Sequence, residues 1–223
     1  DKKTITRVFN SKRAICKGYA LLFKELCDLL KIENEIVFGY IKNSTSQIGF
    51  IPKQKNHAWN VVKIDGKWIF LDVTYGAGYS NNNIWYQKFN PNYFNIDKDV
   101  IRYTHYAKES YWQEHLNQPP LKEYCKQPLY SNAIFNKTFE VLSPKNGKIK
   151  IGRQSKFELK IKGIDNTTKI HYRFGENGKL MSPRIKHENS ISTIKIRKPK
   201  KNSNLKIYFN KELALEYLLV SEK

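Results

Sequence analysis

Cysteine is scarce in this 223-residue chain: Cys16, Cys27 and Cys125 are an odd number without regular spacing, which excludes a disulfide framework as the basis of the fold. No stretch approaches the roughly 18 consecutive apolar residues of a membrane-spanning helix, and no charged-then-apolar segment opens the sequence. Acidic residues number 20 against 40 basic ones, yet only 7 of the 40 are arginine and no nucleic-acid motif is present, so nucleic acid is not an expected partner. Metal-site spacing is also lacking. His105 and Glu109 lie four apart with His115 further on, but no second ligand pair follows, so these read as solvated or packed side chains. His171 and His187 belong to no motif, and no metal or organic cofactor is implied.

What the chain does have is apolar material for real cores: 40% hydrophobic residues, including 12 Phe, 14 Tyr and 4 Trp, in a length that allows one large or two small domains. Three short stretches carry chemistry: Cys16-Lys17-Gly18-Tyr19-Ala20, Asn56-His57-Ala58-Trp59-Asn60 and Leu71-Asp72-Val73-Thr74-Tyr75-Gly76-Ala77-Gly78. A cysteine opening a helix, a histidine opening a strand and an aspartate closing the next strand are the nucleophile, base and orienter of a thiol acyl-transfer site.

The geometry follows from local rules. Asp65-Gly66 between two apolar, β-branched runs signals a two-residue hairpin, which sets Ile64 opposite Lys67. Carried along, this register puts Trp59 opposite Asp72 and His57 opposite Thr74, so His57 and Asp72 become diagonal neighbours about 7 Å apart at Cβ. Cys16, Tyr19, Ala20, Phe23, Leu26, Cys27 and Leu30 recur with helical spacing, predicting a helix from about Ala14 to Leu30 with Cys16 in its first turn. There the helix dipole and free backbone N–H groups favour a thiolate. Cys27 is expected to be buried, Trp59 to pack, and Asn60 to point away from His57.

From Lys12 to Gly78, through these motifs and the strand Ile36-Val37-Phe38-Gly39-Tyr40, the sequence resembles the transglutaminase-like superfamily, in the kyphoscoliosis-peptidase type found in many bacteria. Tyr75 stands where that family often has tryptophan. The resemblance implies an α+β papain-like core, a nucleophile helix packed on an antiparallel sheet. It implies that Cys16 attacks a carbonyl, His57 shuttles the proton and Asp72 orients the imidazole, with no cofactor. Such proteins usually carry helices before the cysteine helix, whereas fifteen residues precede Cys16 here. The sequence begins with Asp1 rather than Met, so an upstream region with a signal peptide, and an extracellular or periplasmic location, is expected.

Residues 81–117 are rich in aromatics and asparagine and read as a loop-rich extension wrapping the core; Pro119-Pro120 opens a linker to about Asn136. Period-two alternation then recurs at 138–142, 148–151, 156–161, 169–174, 191–196, 205–209 and 214–220, suggesting an all-β, immunoglobulin-like sandwich. The last run has helix-forming composition at 211–218, but Tyr217 to Val220 favour a strand. Residues 126–223 hold 22 Lys and Arg against 8 Asp and Glu, compared with 18 against 12 before them, so an anionic partner suits this half.

The expected organisation is therefore a catalytic domain at 1–118, a linker at 119–136 and a β-sandwich accessory domain at 137–223. The expected activity is hydrolysis of a protein or peptide substrate through a Cys16 thioester. Transamidation and a silent scaffold are the rivals. The short polar loop Ser44–Gly49 gives no sign of a groove for an acceptor amine, which favours water.

Overall fold

Asp65 (φ 48°) and Gly66 (φ 75°) make the two-residue turn that their sequence demands, and the strands on either side pair as expected, Ile64 with Lys67 and Asn60 with Leu71. The computed structural model describes residues 2–81, 84–136, 138–152, 156–199 and 201–221. These divide into two compact units, one formed by residues 1–41 and 52–118, the other by 42–51 and 119–223. The chain is α+β, with its sheets built almost wholly from antiparallel pairs.

The first unit opens with helices α1 (Lys2–Ser11) and α2 (Cys16–Leu29), followed by strands β1 (Asn34–Ile41), β2 (His57–Ile64) and β3 (Lys67–Leu71). A short helix α3 (Val73–Ala77), a hairpin of β4 (Gly78–Asn81) and β5 (Ile84–Gln87), α4 (Lys98–Thr104), β6 (His105–Ala107) and α5 (Ser110–His115) complete it. One four-stranded sheet, in the order β3-β2-β1-β6, organises the unit. The segment after residue 81 is thus more than the expected wrapping extension, because β6 supplies the fourth strand. Its three residues, too short for a strand signal, pair Ile41 with His105 and Gly39 with Ala107.

Helix α2 packs on β2 through Phe23 and Cys27, which meet Val62, Leu71 and Ile69. Burial of such side chains contributes roughly 1.5–3 kcal/mol each. The expected apolar face is only partly right: Leu26 is 46% and Leu30 71% exposed, while Gly18 and Leu21 are buried. Gly18 is where α1 crosses; a Cβ there would stand 2.7 Å from the Ala14 Cβ and 3.1 Å from Val8 Cγ2, closer than packing allows. Buried Asn60 donates from Nδ2 to the Ala20 carbonyl at 3.0 Å, tying β2 to the helix.

The second unit holds α6 (Leu121–Lys126), β7 (Leu129–Tyr130), α7 (Ala133–Asn136) and strands β8 (Glu140–Ser143), β9 (Lys148–Ile151), β10 (Lys156–Lys162), β11 (Ile170–Phe174), β12 (Arg184–Glu188), β13 (Ile191–Arg197), β14 (Ser203–Phe209) and β15 (Glu212–Ser221). The stretch expected as a linker, 119–136, carries α6, β7 and α7 and clusters with this unit. One sheet runs β12-β13-β10-β8; the other runs β11-β14-β15-β7, with β9 parallel to β15. Leu159, Ile161, Ile194, Ile196, Leu205, Ile207, Leu215, Tyr217 and Leu219 are almost wholly buried. The ambiguous last run is strand. β12 escaped the alternation rule because Arg-Ile-Lys-His-Glu has one apolar residue, as befits an exposed edge strand. Residues 45–47, in the loop before His57, form a 3₁₀ turn capped by Ser44 and belong to this unit.

Candidate functional site

Asp72 closes β3 and at once caps α3: its Oδ1 accepts the backbone N–H groups of Thr74 (2.9 Å) and Tyr75 (3.0 Å). The helix turn ends the hairpin register three positions early, so the predicted pairings of Trp59 with Asp72 and His57 with Thr74 do not form; β3 stops at Leu71. The expected diagonal contact survives through the side chains. His57 Nε2 lies 2.5 Å from Asp72 Oδ2, with His57 6% exposed and Asp72 fully buried.

Cys16 is the first residue of α2, and the cap residue Ile15 offers no side-chain bond to the helix start. The thiol is partly exposed, and the neighbouring His57 imidazole holds its pKa below the ordinary value against the opposing effect of burial. The backbone N–H groups of Ala58 and Lys17 lower it further. With Nε2 engaged by Asp72, the ring nitrogen left for Cys16 is Nδ1. Burial pulls His57 down, but its bond to Asp72 and the neighbouring Cys16 outweigh this and raise it to about 9. Burial pushes Asp72 up; the imidazoles of His105 and His57 outweigh that and hold it well below the usual carboxylate range. All three shifts run in the direction that favours thiolate at Cys16, imidazolium at His57 and carboxylate at Asp72. Cys27 and Cys125 are buried, and burial pushes both thiols up.

Aromatic rings wall the site. Tyr75 stacks on His57 with centroids 5.2 Å apart, and Trp59, 1% exposed, stacks on the ring from 6.2 Å. Burial, reinforced by the Asp72 charge, pushes the Tyr75 hydroxyl well above its ordinary value and that of Tyr93 up to about 12, so both stay neutral beside the ionic centre.

Sequence reasoning missed His105. It begins β6, whereas Glu109 precedes α5, and its Nε2 lies 3.1 Å from Asp72 Oδ2 at 1% exposure. The signal is in the strand order. Gly39 on β1 faces His57 on one side and Ala107 on the other, so His57, Ala107 and His105, two residues along, share a sheet face. A Cβ at Gly39 would stand 2.0 Å from the Tyr106 carbonyl oxygen and 2.6 Å from a Trp59 ring carbon, so only glycine fits there. His115 packs with Phe70, Tyr111 and Trp112 away from this cluster.

One atom from each of His57, Asp72 and His105 lies within 4.8 Å of the others, a spacing a metal ion could use. Both imidazoles, however, aim at the same carboxylate oxygen at hydrogen-bond distance, so the donor set is already satisfied internally.

Residues 1–73 match the family model of the transglutaminase-like superfamily. Human kyphoscoliosis peptidase is 28% identical over 153 residues, 65% of this chain and 22% of that protein. Hillarin of Drosophila melanogaster is 25% identical over 53% of this chain and 16% of its own length. The Lim and transglutaminase domain protein ltd-1 of Caenorhabditis elegans is 25% identical over 44% of this chain and 15% of its own. The chain thus spans 22% or less of these relatives. The crystal structure of I81 from titin aligns with 38% of this chain and 97% of its own at 12% identity and a TM-score of 0.24.

Proposed function

We propose that this chain, a member of the transglutaminase-like superfamily through its N-terminal segment, is a cysteine-dependent acyl-transfer enzyme that hydrolyses peptide or isopeptide bonds through a Cys16 thioester. One observation carries the reading: a single imidazole, His57, hydrogen-bonds a buried carboxylate and lies near enough to a helix-start thiol to lower its pKa. The first unit is read as a papain-like core, on the strength of α2 packed against β2 of an antiparallel sheet. The second is read as an immunoglobulin-like accessory sandwich, supported by its two sheets.

In this scheme the Cys16 thiolate attacks the carbonyl carbon, and the N–H groups at the start of α2 stabilise the oxyanion. The His57 imidazolium gives its Nδ1 proton to the leaving nitrogen as the C–N bond breaks, leaving a thioester. Neutral His57 then takes a proton from water, the hydroxide attacks the thioester carbon, and the C–S bond breaks to return thiolate and imidazolium. Asp72 keeps Nε2–H directed inward throughout. Cys16 retains solvent access, which favours water over an amine as acceptor.

The test offers a glutamine-containing protein with a labelled primary amine, beside a panel of peptides and isopeptides. Amide cleavage that disappears in Cys16→Ala, with little label incorporated, is expected. Efficient incorporation would replace hydrolysis with transamidation, and no turnover of any substrate would favour a silent binding module.

A further inference from the structure

We propose that His105 is a positioning residue: a neutral imidazole whose Nε2–H, bonded to Asp72, holds that carboxylate in place for His57. The inference rests on the reading of Cys16, His57 and Asp72 given above. It begins from the oxygens of Asp72, a side chain with no exposure. Oδ1 takes two backbone N–H groups, and Oδ2 takes His57 at 2.5 Å and His105 at 3.1 Å. An ionised carboxylate offers about four acceptor positions, and all are filled. Removing a partner from a buried charge is strongly destabilising, because the charge is left partly unsolvated and unpaired.

The proton on His105 can be assigned. Its Nε2 faces an ionised carboxylate, which only accepts, so the ring keeps its hydrogen there; Nδ1 lies 2.8 Å from the Thr104 hydroxyl, whose one hydrogen it shares with the Ile101 carbonyl at 3.3 Å. The titratable groups around it are Asp72, His57 with ring centroids 5.7 Å away, and Tyr75 at 6.5 Å. Burial, helped by the His57 charge, keeps His105 below its ordinary value despite Asp72. A second imidazolium on the same oxygen would repel the first; a neutral ring gives the N–H without the charge. The two histidines thus divide the work, one mobile in proton and the other fixed. Trp59, edge-on to His105 at 5.1 Å, keeps that ring in its plane.

The experiment measures the rate of iodoacetamide modification of Cys16 against pH, by mass spectrometry, in the full chain and in His105→Phe and His105→Gln. Phenylalanine fills the space without a donor; glutamine restores an N–H. The wild-type midpoint is expected well below that of an ordinary thiol. His105→Phe should raise it by about one unit, roughly tenfold slower modification on the acid limb, and His105→Gln should recover most of this. A folded His105→Phe with the wild-type profile overturns the proposal, as does a glutamine variant no better than phenylalanine, which would make the role one of packing. A wild-type midpoint at the ordinary thiol value removes the triad reading itself, and the proposal falls with it. Should His105→Phe not fold, ¹⁵N NMR of the wild-type imidazoles decides: a neutral His105 protonated on Nε2 is expected, and a proton on Nδ1 alone or a doubly protonated ring overturns the assignment.

Discussion

His57 and Asp72 meet at 2.5 Å, Nε2 to Oδ2, although the two residues do not pair across the strands: the hairpin brings Asp72 alongside β2, and there it leaves β3 to cap α3 with Oδ1 while Oδ2 takes the imidazole. One side chain therefore does two separable jobs, starting a helix and holding an imidazolium.

Replacing Asp72 separates them. Asparagine keeps an oxygen for the Thr74 and Tyr75 N–H groups but removes the charge. Asp72→Ala loses the cap as well, about 0.5–2 kcal/mol. Thermal unfolding should show Asp72→Ala clearly less stable than Asp72→Asn, while both lose fast modification of Cys16 at neutral pH. Equal stability would deny the cap its role.

Among the three cysteines, Cys16 alone should react quickly with iodoacetamide near neutral pH, since Cys27 and Cys125 are buried with raised thiol values. Peptide mapping after a brief pulse checks this; faster labelling of either buried cysteine would sink the assignment.

The pH dependence has a definite sign. The imidazolium must give a proton to the leaving group, so amide cleavage should fall as pH rises through about 9, the value of His57, and fall on the acid side as the Cys16 thiol regains its proton. Stability behaves differently. His57, raised in the fold, contributes fully below its ordinary 6.5 and loses this towards about 9, while Cys16, lowered in the fold, gains up to 9.0, so the two slopes oppose each other. Asp72 is lowered in the fold, and its contribution is present above its ordinary 3.8 and lost as pH falls below it. Denaturant unfolding of the first unit should accordingly weaken on the acid side of about pH 4, with a shallower loss in Asp72→Asn.

Lys42 makes a separate prediction for the second unit. Its ammonium donates to the carbonyls of Tyr124 (2.8 Å) and Gln127 (2.7 Å), which end α6, and burial lowers it to about 7. Lys42→Met leaves both acceptors unmet at about 1–3 kcal/mol each. A lower midpoint for the unfolding of this unit is expected. In the wild type, moreover, its stability should rise from about pH 7 towards 10.5, because the unfolded lysine binds the extra proton; Lys42→Met should lose that slope.

How much of this was readable from sequence depends on range. Cys16 at a helix start, the Asp65-Gly66 hairpin and the nearness of His57 to Asp72 follow from local periodicity and turn chemistry, and the structure has each of them. His105 was out of reach because its place depends on β6 pairing with β1, which joins Ile41 to His105, 64 positions apart in the sequence. The Asp72 cap was legible in principle, since Asp before a short helix is a start signal, but the strand pattern masked it. Residues 121–136 hid for another reason: prolines at 119, 120 and 128 suggest a linker, yet Tyr124, Cys125, Ala133 and Ile134 are buried.

The most direct test of the central claim is to trap the acyl-enzyme. After a rapid acid quench of the full chain with an activated acetate ester, intact-mass and peptide analysis should find one acetyl group on Cys16. It should form much more slowly in His57→Ala, be absent in Cys16→Ala, and decay in water with release of acetate. Acetylation spread over lysines, or an adduct on Cys16 that forms equally fast without His57, would contradict the account.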